Sequence, residues 1–447
     1  MLESWWSSSA PRPGLVWGRR RVGKTALIQR FSQERRTIFH TGSGRPAAGE
    51  LAQFSRRTAA AGLSGIRDLA ARPFGDWDDA LEHVAQAAGD DPVLVVLDEF
   101  PALQETSPEL PGVLRAFLDR AHGHTGIRLL LCGSAVRSME ALQEQRAPLF
   151  GRFDLRLLLH PFTPAEAGLM LPGMRSEEIA RVYGLLGGMP LYLSWWSGDE
   201  SFEDNIRRLV ATPVAPLLTE GELILATEVE RGGRAAELLY GIACGRTRYN
   251  ELKDVTGFEP SRTLDRLIQL RLVERQIPVT ENPARTRRRV YRITDNFLAF
   301  YLGVVSRYRD EINRGLDSVL PVILDALDDR LGGPWEEAVR EHIRAQCAQG
   351  RLAENAVAVG PWWTDDGQNE IDALVLAGRA RTPVLAAEAK WTTRVDGARL
   401  SRALHRKAAQ VAPDPDDLTY AIAARRTVDR APENTVVITA ADVFPEA

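Results

Sequence analysis

Lysine is nearly absent from this chain, although positive charge is not. The sequence holds only four lysines, Lys24, Lys253, Lys390 and Lys407, beside 52 arginines. The two residues are not equivalent where chemistry needs a compact, rotatable ammonium group, because the guanidinium is a planar fork that stays protonated. A bias towards arginine is typical of a GC-rich genome, and it leaves lysine mainly where arginine fits badly. The four lysines are therefore candidates for functional positions.

Cysteine and long apolar runs are scarce as well. Cys132, Cys244 and Cys347 stand far apart and match neither a metal-ligand nor a redox spacing, so we expect no disulfide framework. The longest aliphatic runs, such as residues 93–97, are far shorter than the roughly 20 residues of a membrane helix. The N-terminus lacks the pattern of a signal peptide. We expect a soluble, cytoplasmic protein with no membrane partner.

The length and charge of the chain bound its organisation. A chain of 447 residues is too long for a single core and predicts several domains. With 44% hydrophobic and 26% charged residues, wholesale disorder is excluded. Because the formal net charge is only -4, any affinity for nucleic acid must come from local basic patches.

Lys24 closes a phosphate-binding pattern of Gly, four residues, Gly, Lys and Thr. A short apolar strand precedes it at residues 15–17, and helical character follows it at 26–31. In such a loop the amides and the helix N-terminus face the phosphates, Lys24 bridges the outer phosphates, and the Thr25 hydroxyl ligates Mg²⁺. The predicted nucleotide-contacting residues are Gly18, Arg19, Arg20, Arg21, Val22, Gly23, Lys24, Thr25 and Ala26.

A second part of the predicted site is the acidic end of a strand. Residues 93–97 are continuously apolar, as in a parallel strand covered on both faces, and Asp98 and Glu99 follow. Asp98 would belong to the Mg²⁺ shell, and Glu99 would polarise the attacking water. The alternative is a buried strand followed by a solvated acidic turn.

Three more apolar runs, at residues 37–40, 128–132 and 154–159, complete a predicted five-stranded, doubly wound parallel α/β sheet over residues 1–160. Ser134 follows the run at 128–132, which predicts a hydroxyl beside Asp98 and Glu99. There it would sense the terminal phosphate, or equally cap a loop.

These motifs resemble the archaeal-type ATPases, a branch of the AAA+ and signal-transduction NTPases, over roughly residues 14–230. The resemblance rests on the phosphate loop, Asp98-Glu99, Gly133-Ser134, residues 148–152 and residues 187–190. It implies ATP and Mg²⁺ as cofactors, with Arg152 as an arginine finger acting across a subunit contact of a homo-oligomer. It also implies a helical lid over residues 161–230, in which Gly188 and Pro190 pack on the adenine. The alternatives are a surface arginine and a turn that ends a helix.

The middle of the chain predicts a winged helix-turn-helix over residues 231–310. Helices are expected at 237–243, 249–255 and 261–270, followed by strands at 273–275 and 290–293. Residues 231–309 contain 16 Arg or Lys against 8 Asp or Glu, and residues 285–289 form a basic hairpin tip. DNA is the favoured partner, with the tip on the phosphate backbone and Arg262 and Arg266 near a groove. The alternative is a packing role. Residues 298–308 are expected to be core.

The C-terminal part predicts a metal-dependent site on a hairpin. Two apolar strands, at 370–376 and 384–390, would place Asp372 beside Glu388 and Lys390, because alternate side chains share one face of a strand. Two carboxylates can bind Mg²⁺, and the Lys390 ammonium can position or deprotonate a water molecule. The alternative is a solvated, charged hairpin edge.

Asp372, Glu388 and Lys390 resemble the PD-(D/E)XK nuclease superfamily, whose fold is α/β and restriction-endonuclease-like, over roughly residues 320–447. The resemblance implies Glu336 as a further metal ligand, with Glu337 as its rival, and Gln410, on the helix that follows the hairpin, is a further candidate. The chain is therefore expected to be an ATPase whose nucleotide state controls a winged helix and a Mg²⁺-dependent nuclease acting on nucleic acid. The rival hypothesis is an ATP-driven regulatory switch whose C-terminal domain binds without cleaving.

Overall fold

The structure is a computed structural model that describes residues 1–9, 11–121, 123–227, 229 and 233–446. Its contacts divide the chain into two compact units, Met1–His160 and Pro161–Ala447. None of the helices in these described ranges combines the length and the apolar composition that a membrane span requires. The predicted lid, winged helix and nuclease-like domain all fall within the second unit, and their division into separate domains stays a prediction.

The first unit is built on a parallel sheet. Its strands are β1 (Gly14–Trp17), β2 (Thr37–Thr41), β3 (Val93–Asp98), β4 (Ile127–Gly133) and β5 (Leu155–Leu158). Its helices are α1 (Leu2–Trp6), α2 (Lys24–Ser32), α3 (Ala47–Ala60), α4 (Trp77–Ala88), α5 (Phe100–Thr106), α6 (Leu110–Ala121) and α7 (Val136–Ala141). The strand order is β2-β3-β4-β1-β5, and every pairing is parallel.

Alternation along β3 explains its unbroken apolar sequence. Val95 and Leu97 belong to the larger core cluster of the unit, whereas Leu94 and Val96 belong to a second cluster. Both faces of the strand are thus covered, as a parallel sheet requires. The prediction of a doubly wound parallel α/β sheet is confirmed.

The second unit begins with helices. They are α8 (Pro164–Leu169), α9 (Ser176–Leu186), α10 (Pro190–Ser194), α11 (Phe202–Leu209), α12 (Pro216–Thr227), α13 (Arg234–Ala243), α14 (Tyr249–Thr256), α15 (Ser261–Gln269), α16 (Asn296–Gly303), α17 (Arg309–Asn313), α18 (Val319–Asp328), α19 (Gly332–Ala348), α20 (Gly397–Ala408) and α21 (Ala440–Val443). Short 3-10 turns lie at Val305–Tyr308 and Pro415–Asp417.

The strands of the second unit are β6 (Val273–Gln276), β7 (Val290–Ile293), β8 (Ala356–Trp363), β9 (Glu370–Ala377), β10 (Thr382–Lys390), β11 (Arg394–Asp396), β12 (Thr419–Ala424), β13 (Thr427–Asp429) and β14 (Thr435–Ile438). The pair β6/β7 forms an antiparallel hairpin after α13–α15, so the predicted order of three helices and two strands is present. The predicted boundary between residues 230 and 231 lies outside the described residues. Helix α16 is almost wholly buried, as expected for core.

A five-stranded mixed sheet organises the C-terminal part, in the order β14-β12-β10-β9-β8. Strands β8, β9 and β10 form an antiparallel meander, and β12 and β14 run parallel to β10. Helix α20 makes the crossover from β10 to β12, and its Leu404 and Ala408 pack in a core cluster with Leu374 and Ala386 of the sheet.

An ionisable pair is buried in the first unit, where His40 of β2 meets Glu50 of α3. Both residues are 0% exposed, and His40 Nε2 lies 3.0 Å from Glu50 Oε2. The other Glu50 oxygen accepts hydrogen bonds from the Ser43 amide (2.9 Å), the Ser43 hydroxyl (2.8 Å) and the Arg45 amide (3.0 Å). Burial lowers the pKa of His40 and opposes ionisation of Glu50, yet the hydrogen bonds lower the pKa of Glu50 overall. This carboxylate therefore fixes the loop after β2.

We expect Glu50→Ala to lower the free energy of unfolding by about 3 kcal/mol, because it leaves several buried donors without an acceptor. Thermal and denaturant unfolding would measure the loss. The matched control is Glu34→Ala at an exposed position, which should change stability by less than about 0.5 kcal/mol. Equal stability of the two variants would contradict the assigned role of Glu50.

Candidate functional site

The phosphate-loop pattern forms a tight turn between β1 and α2. Arg21 and Gly23 have left-handed backbones, with φ of 70° and 86°. A Cβ on Gly18 would lie 2.4 Å from the Leu159 carbonyl oxygen, so only glycine fits there. Lys24 begins α2, and its Nζ donates to the carbonyl oxygens of Gly18 at 2.9 Å and of Arg19 at 2.8 Å. The lysine thus folds back over its own loop.

The remaining residues of the phosphate loop differ in their exposure to solvent. Arg19 and Val22 are buried, whereas Arg20, Thr25 and Ala26 are exposed. Thr25, the predicted Mg²⁺ ligand, lies in the first turn of α2. Its exposure leaves the hydroxyl accessible to a ligand.

Asp98 and Glu99 lie at the carboxyl end of β3, at the same sheet edge as the loop. Asp98 is 4% exposed, and its Oδ1 has no hydrogen-bond partner among the described residues. Burial raises the pKa of Asp98 and lowers that of Lys24, while the Asp98 and Glu99 carboxylates act on Lys24 in the opposite direction. A buried carboxylate oxygen without a donor is a fitting acceptor for a metal-bound water.

Ser134 contacts Glu99, as the sequence predicted for its position. Glu99 has a left-handed backbone, with φ of 48°. Its Oε2 accepts hydrogen bonds from the Ser134 hydroxyl at 3.0 Å and from the Ser134 amide at 3.3 Å. A strained backbone supported by a neighbouring hydroxyl holds this carboxylate in one orientation.

Three residues that the resemblance assigned to the nucleotide site have structural contacts of their own. Arg152 is bound by Asp119 of α6, with its Nε and Nη2 atoms 3.0–3.1 Å from the carboxylate oxygens. Gly188 and Pro190 belong to the second unit. There a Cβ on Gly188 would lie 1.8 Å from the Phe162 carbonyl oxygen, and Pro190 begins α10. Close packing and helix initiation thus account for both residues, and the roles predicted for all three stay predictions.

The C-terminal candidates meet on β9 and β10. Ala373 pairs with Ala387 across these strands, and Asp372 and Glu388 are the next residues on each. Lys390 Nζ lies 2.8 Å from Glu388 Oε1 and 3.7 Å from Asp372 Oδ2. The same Asp372 oxygen accepts a hydrogen bond from the Ala389 amide at 2.7 Å. The predicted acid and acid-x-Lys pair is therefore assembled in space.

The carboxylates that group together differ from the predicted metal set. Oxygen atoms of Glu336, Glu370 and Asp372 all lie within 4.8 Å of one another. Sequence reasoning missed Glu370, although it lies two residues before Asp372 and so shares its strand face. Three clustered carboxylates form a donor set that suits a hard divalent cation. Glu337, the rival of Glu336, instead forms ion pairs with Arg292, Arg340 and Arg344.

Glu388 is held by two lysines rather than by that cluster. Besides Lys390, Lys407 of α20 donates to Glu388 Oε1 at 2.9 Å and Oε2 at 2.7 Å. Sequence reasoning gave Lys407 no role. Two features of the sequence could have identified Lys407. Lysine is rare in this chain, and Lys407 lies three residues after the core residue Leu404, which places it near the sheet-facing side of α20. By contrast, Lys253 forms an exposed pair with Glu259, and Gln410 is exposed.

Burial and mutual repulsion perturb the clustered acids. Burial raises the pKa of Glu336 to about 8, and the nearby Asp372 and Glu370 charges add to the effect. Burial and then the Glu388 charge raise the pKa of Asp372 to about 6. The surrounding acids, opposed by burial, raise the pKa of Lys390. Such shifts are typical of sites that bind a cation or move a proton.

The predicted wing tip contacts the end of β8 and the residues that follow it. Arg288 Nη1 donates to the Trp363 carbonyl oxygen at 2.8 Å, and its Nε lies 3.0 Å from an Asp365 oxygen. The Val279 amide of the same loop donates to the Pro361 carbonyl oxygen at 2.8 Å. The loop is thus fastened to β8. On α15, Arg262 is exposed and Arg266 is half-buried.

Comparisons with known proteins agree with the fold of the first unit. Residues 1–195 match a family model described as an ATPase domain predominantly from Archaea, and residues 301–407 match one described as archaeal and bacterial proteins of unknown function. An uncharacterized protein of Methanocaldococcus jannaschii is 25% identical over 418 residues, covering 92% of this chain and 90% of that protein.

Two solved structures are also similar. A Walker-type ATPase of Pyrococcus abyssi aligns with a TM-score of 0.51 and 20% identity, covering 67% of this chain and 92% of that one. The ORC2 protein of Aeropyrum pernix, solved in complexes with ADPNP and ADP, aligns with a TM-score of 0.44 and 16% identity over 70% and 91% of the two chains. The similarity to the Walker-type ATPase is a similarity of fold. The sequence of residues 1–195 is therefore similar to archaeal ATPase domains, which agrees with the parallel sheet and the phosphate loop of the first unit, and residues 301–407 are similar to the second family.

Proposed function

We propose that this protein binds and hydrolyses ATP, and that its nucleotide state controls a metal-dependent nuclease site in the C-terminal domain. The observation that carries the proposal is the convergence of Glu336, Glu370, Asp372 and Lys390 downstream of a complete phosphate loop. A cation-binding acid cluster with an adjacent ammonium is suited to cleaving a phosphodiester. Nucleic acid, with DNA favoured, is the proposed substrate.

In the ATPase site, Lys24 would leave its loop carbonyls to bridge the outer phosphates of ATP. Thr25 and Asp98 would hold Mg²⁺, which supplies charge neutralisation at the phosphates. Glu99 would orient the attacking water, and Ser134 would keep the Glu99 carboxylate in place. Arg152 would act as the finger only after release from Asp119, which fits a contact made in a homo-oligomer.

In the C-terminal site, Glu336, Glu370 and Asp372 would hold the divalent metal, which supplies charge stabilisation at the scissile phosphate. Lys390 would position or deprotonate the water. Lys407 would keep Glu388 in place and partly neutralise it. This arrangement supports a restriction-endonuclease-like domain, with the antiparallel meander carrying the acids and α20 closing the sheet. We assign α13–α15 with β6 and β7 to a winged helix.

Within the second unit, helix α9 offers a physical route from the predicted lid to the clustered carboxylates. It immediately precedes the predicted adenine-contacting segment and packs against α16, α19 and α21. Asn296 Nδ2 donates to the Tyr183 carbonyl oxygen at 3.0 Å, and the rings of Tyr183 and Phe444 lie 5.3 Å apart. A Cβ on Gly184 would lie 2.6 Å from the Leu331 side chain. Leu331 directly precedes α19, the helix that carries Glu336. A shift of the predicted lid would therefore reach the clustered carboxylates through packed side chains.

The second candidate function is a switch whose C-terminal domain binds nucleic acid without cleaving it. The observation that favours it is the pairing of Glu388 with both Lys390 and Lys407. This pairing neutralises one predicted metal ligand and occupies the ammonium that would activate water. The two functions differ in whether any metal and nucleotide condition gives cleavage.

Lys24→Ala should weaken ATP binding roughly 10- to 100-fold, because a charge-assisted contact to the phosphates is worth about 1.5–3 kcal/mol. Glu99→Gln should bind ATP normally but hydrolyse it roughly 100-fold or more slowly. Fluorescent-nucleotide titration and phosphate release measure the two effects, and Lys253→Ala is the matched control. Normal turnover in both variants would refute the assignment of the ATPase site.

Metal affinity at the C-terminal site should rise with pH. Glu336 and Asp372 have raised pKa values of about 8 and about 6, so near pH 6 a bound proton competes with the cation and at pH 8 it competes less. We expect Mn²⁺ affinity, measured by calorimetry on the Asp98→Ala protein, to increase across this range with proton release. An affinity independent of pH, or unchanged in Glu336→Gln, would exclude this ligand set.

Cleavage should depend on the same residues and on the metal. Asp372→Asn and Lys390→Ala should each lower cleavage of DNA or RNA roughly 100-fold or more in Mg²⁺ or Mn²⁺, with ATP binding unchanged. Lys407→Ala should have a smaller effect through Glu388. The assay uses single- and double-stranded substrates with and without ATP, and Lys253→Ala is again the control. Absence of cleavage in every condition, with ATP-dependent nucleic-acid binding, would support the switch.

A further inference from the structure

The second unit contains a groove of about 990 Å³ whose lining is rich in arginine. Its walls come from α14, α15, the loop that joins β6 to β7, and the end of β8. Six arginines line it, namely Arg248, Arg275, Arg285, Arg287, Arg288 and Arg289. We call this the arginine groove.

Five of these arginines lack a counter-charge. Arg288 pairs with Glu281 and Asp365, but the other five form no ion pair with any residue in the described part of the chain. Four of the five are exposed, and Arg289 is half-buried with an Nε atom that is buried and has no hydrogen-bond partner among the described residues. A cleft lined by one sign of charge raises the local concentration of ions of the opposite sign, so this lining suits a polyanion.

The acidic residues that line the arginine groove do not cancel this charge. Glu251 accepts hydrogen bonds from the amides of Thr247 and Arg248 at 3.0 Å, which commits it to the start of α14. Asp365 is already paired with Arg288. With Asp265 of α15, three acids line the groove against six arginines. The lining therefore carries an excess of positive charge in a protein of net charge -4.

The arginine groove ends beside the acid cluster. Trp363, which lines the groove, pairs directly with Glu370 in the register of β8 and β9. Its carbonyl oxygen accepts the hydrogen bond from Arg288. Trp363 of the groove and Glu370 of the three clustered carboxylates are thus paired neighbours on adjacent strands. A polyanion lying in the groove would be directed towards that cluster.

We propose that the arginine groove, rather than the outer surface of α15, holds a short stretch of single-stranded nucleic acid and leads its backbone to the Glu336, Glu370 and Asp372 cluster. This inference rests on the proposed function and names its substrate class. The volume lies at the upper end of the roughly 300–1,000 Å³ of ligand pockets, which suits a few nucleotides and not a duplex. Half-buried Trp363 and Tyr249 offer rings for stacking, and arginines follow the phosphates.

The test is fluorescence anisotropy with a labelled 12-nucleotide single strand and the matching duplex, using the full chain in EDTA so that no cleavage occurs. Arg275→Ala/Arg287→Ala should weaken single-strand binding at least 10-fold and flatten the dependence of affinity on salt. The matched control, Arg262→Ala/Arg379→Ala, removes two exposed arginines outside the groove and should change affinity less than 2-fold. Thermal unfolding verifies that both proteins are folded.

Equal losses in both double variants, or tighter duplex binding that depends on Arg262, would overturn the inference. Asp372→Ala separates it from the proposed function, since that variant should lose cleavage while its single-strand binding still depends on Arg275 and Arg287. If binding depends on these arginines but no condition gives cleavage, the inference about the groove is supported and the proposed nuclease activity is contradicted. If Arg275→Ala/Arg287→Ala cleaves and its binding is unchanged, the proposed nuclease activity is supported and the inference about the groove is contradicted.

Discussion

Strand register is the constraint on which both candidate sites depend. In the first unit, parallel pairing brings the carboxyl ends of β1 and β3 to one edge, so the loop after Trp17 and the acids after Leu97 share that edge. In the second unit, the antiparallel register of β9 and β10 makes Asp372 and Glu388 neighbours. A slip of one residue would send the side chains of a strand to the opposite face and dismantle either site.

Charge compensation distinguishes the two sites. Asp98 is buried with one oxygen lacking a donor, so that site has capacity for a cation and its water. In the C-terminal site, Glu388 already has two ammonium partners, while Glu336 and Asp372 repel one another and have raised pKa values. Lys390 offsets part of the repulsion between these acids, and a bound cation or proton would offset more of it. This repulsion is consistent with the cation site that we propose at the three-carboxylate cluster.

The sequence predicted these sites unevenly, and the reasons are physical. Lys24, Asp98, Glu99 and Ser134 were predictable because parallel strands fix where their ends meet. Lys407 was not, since a helix that crosses a sheet can place any of several residues over it, and only the packing of α20 selects one. The contact of Arg152 with Asp119 likewise depends on how α6 lies against the strand that follows Arg152.

The sequence by itself determined the parallel P-loop sheet, the phosphate loop, the acidic end of β3, and the placement of Asp372, Glu388 and Lys390 on neighbouring strands. These follow from apolar periodicity and from motifs that are local in the chain. Only the tertiary structure decided that Glu370 joins the acid cluster, that Lys407 binds Glu388, and that the loop between β6 and β7 is fastened to β8 beside an arginine-lined groove. Such contacts join residues distant in sequence, and they arise from side-chain packing that no local pattern encodes.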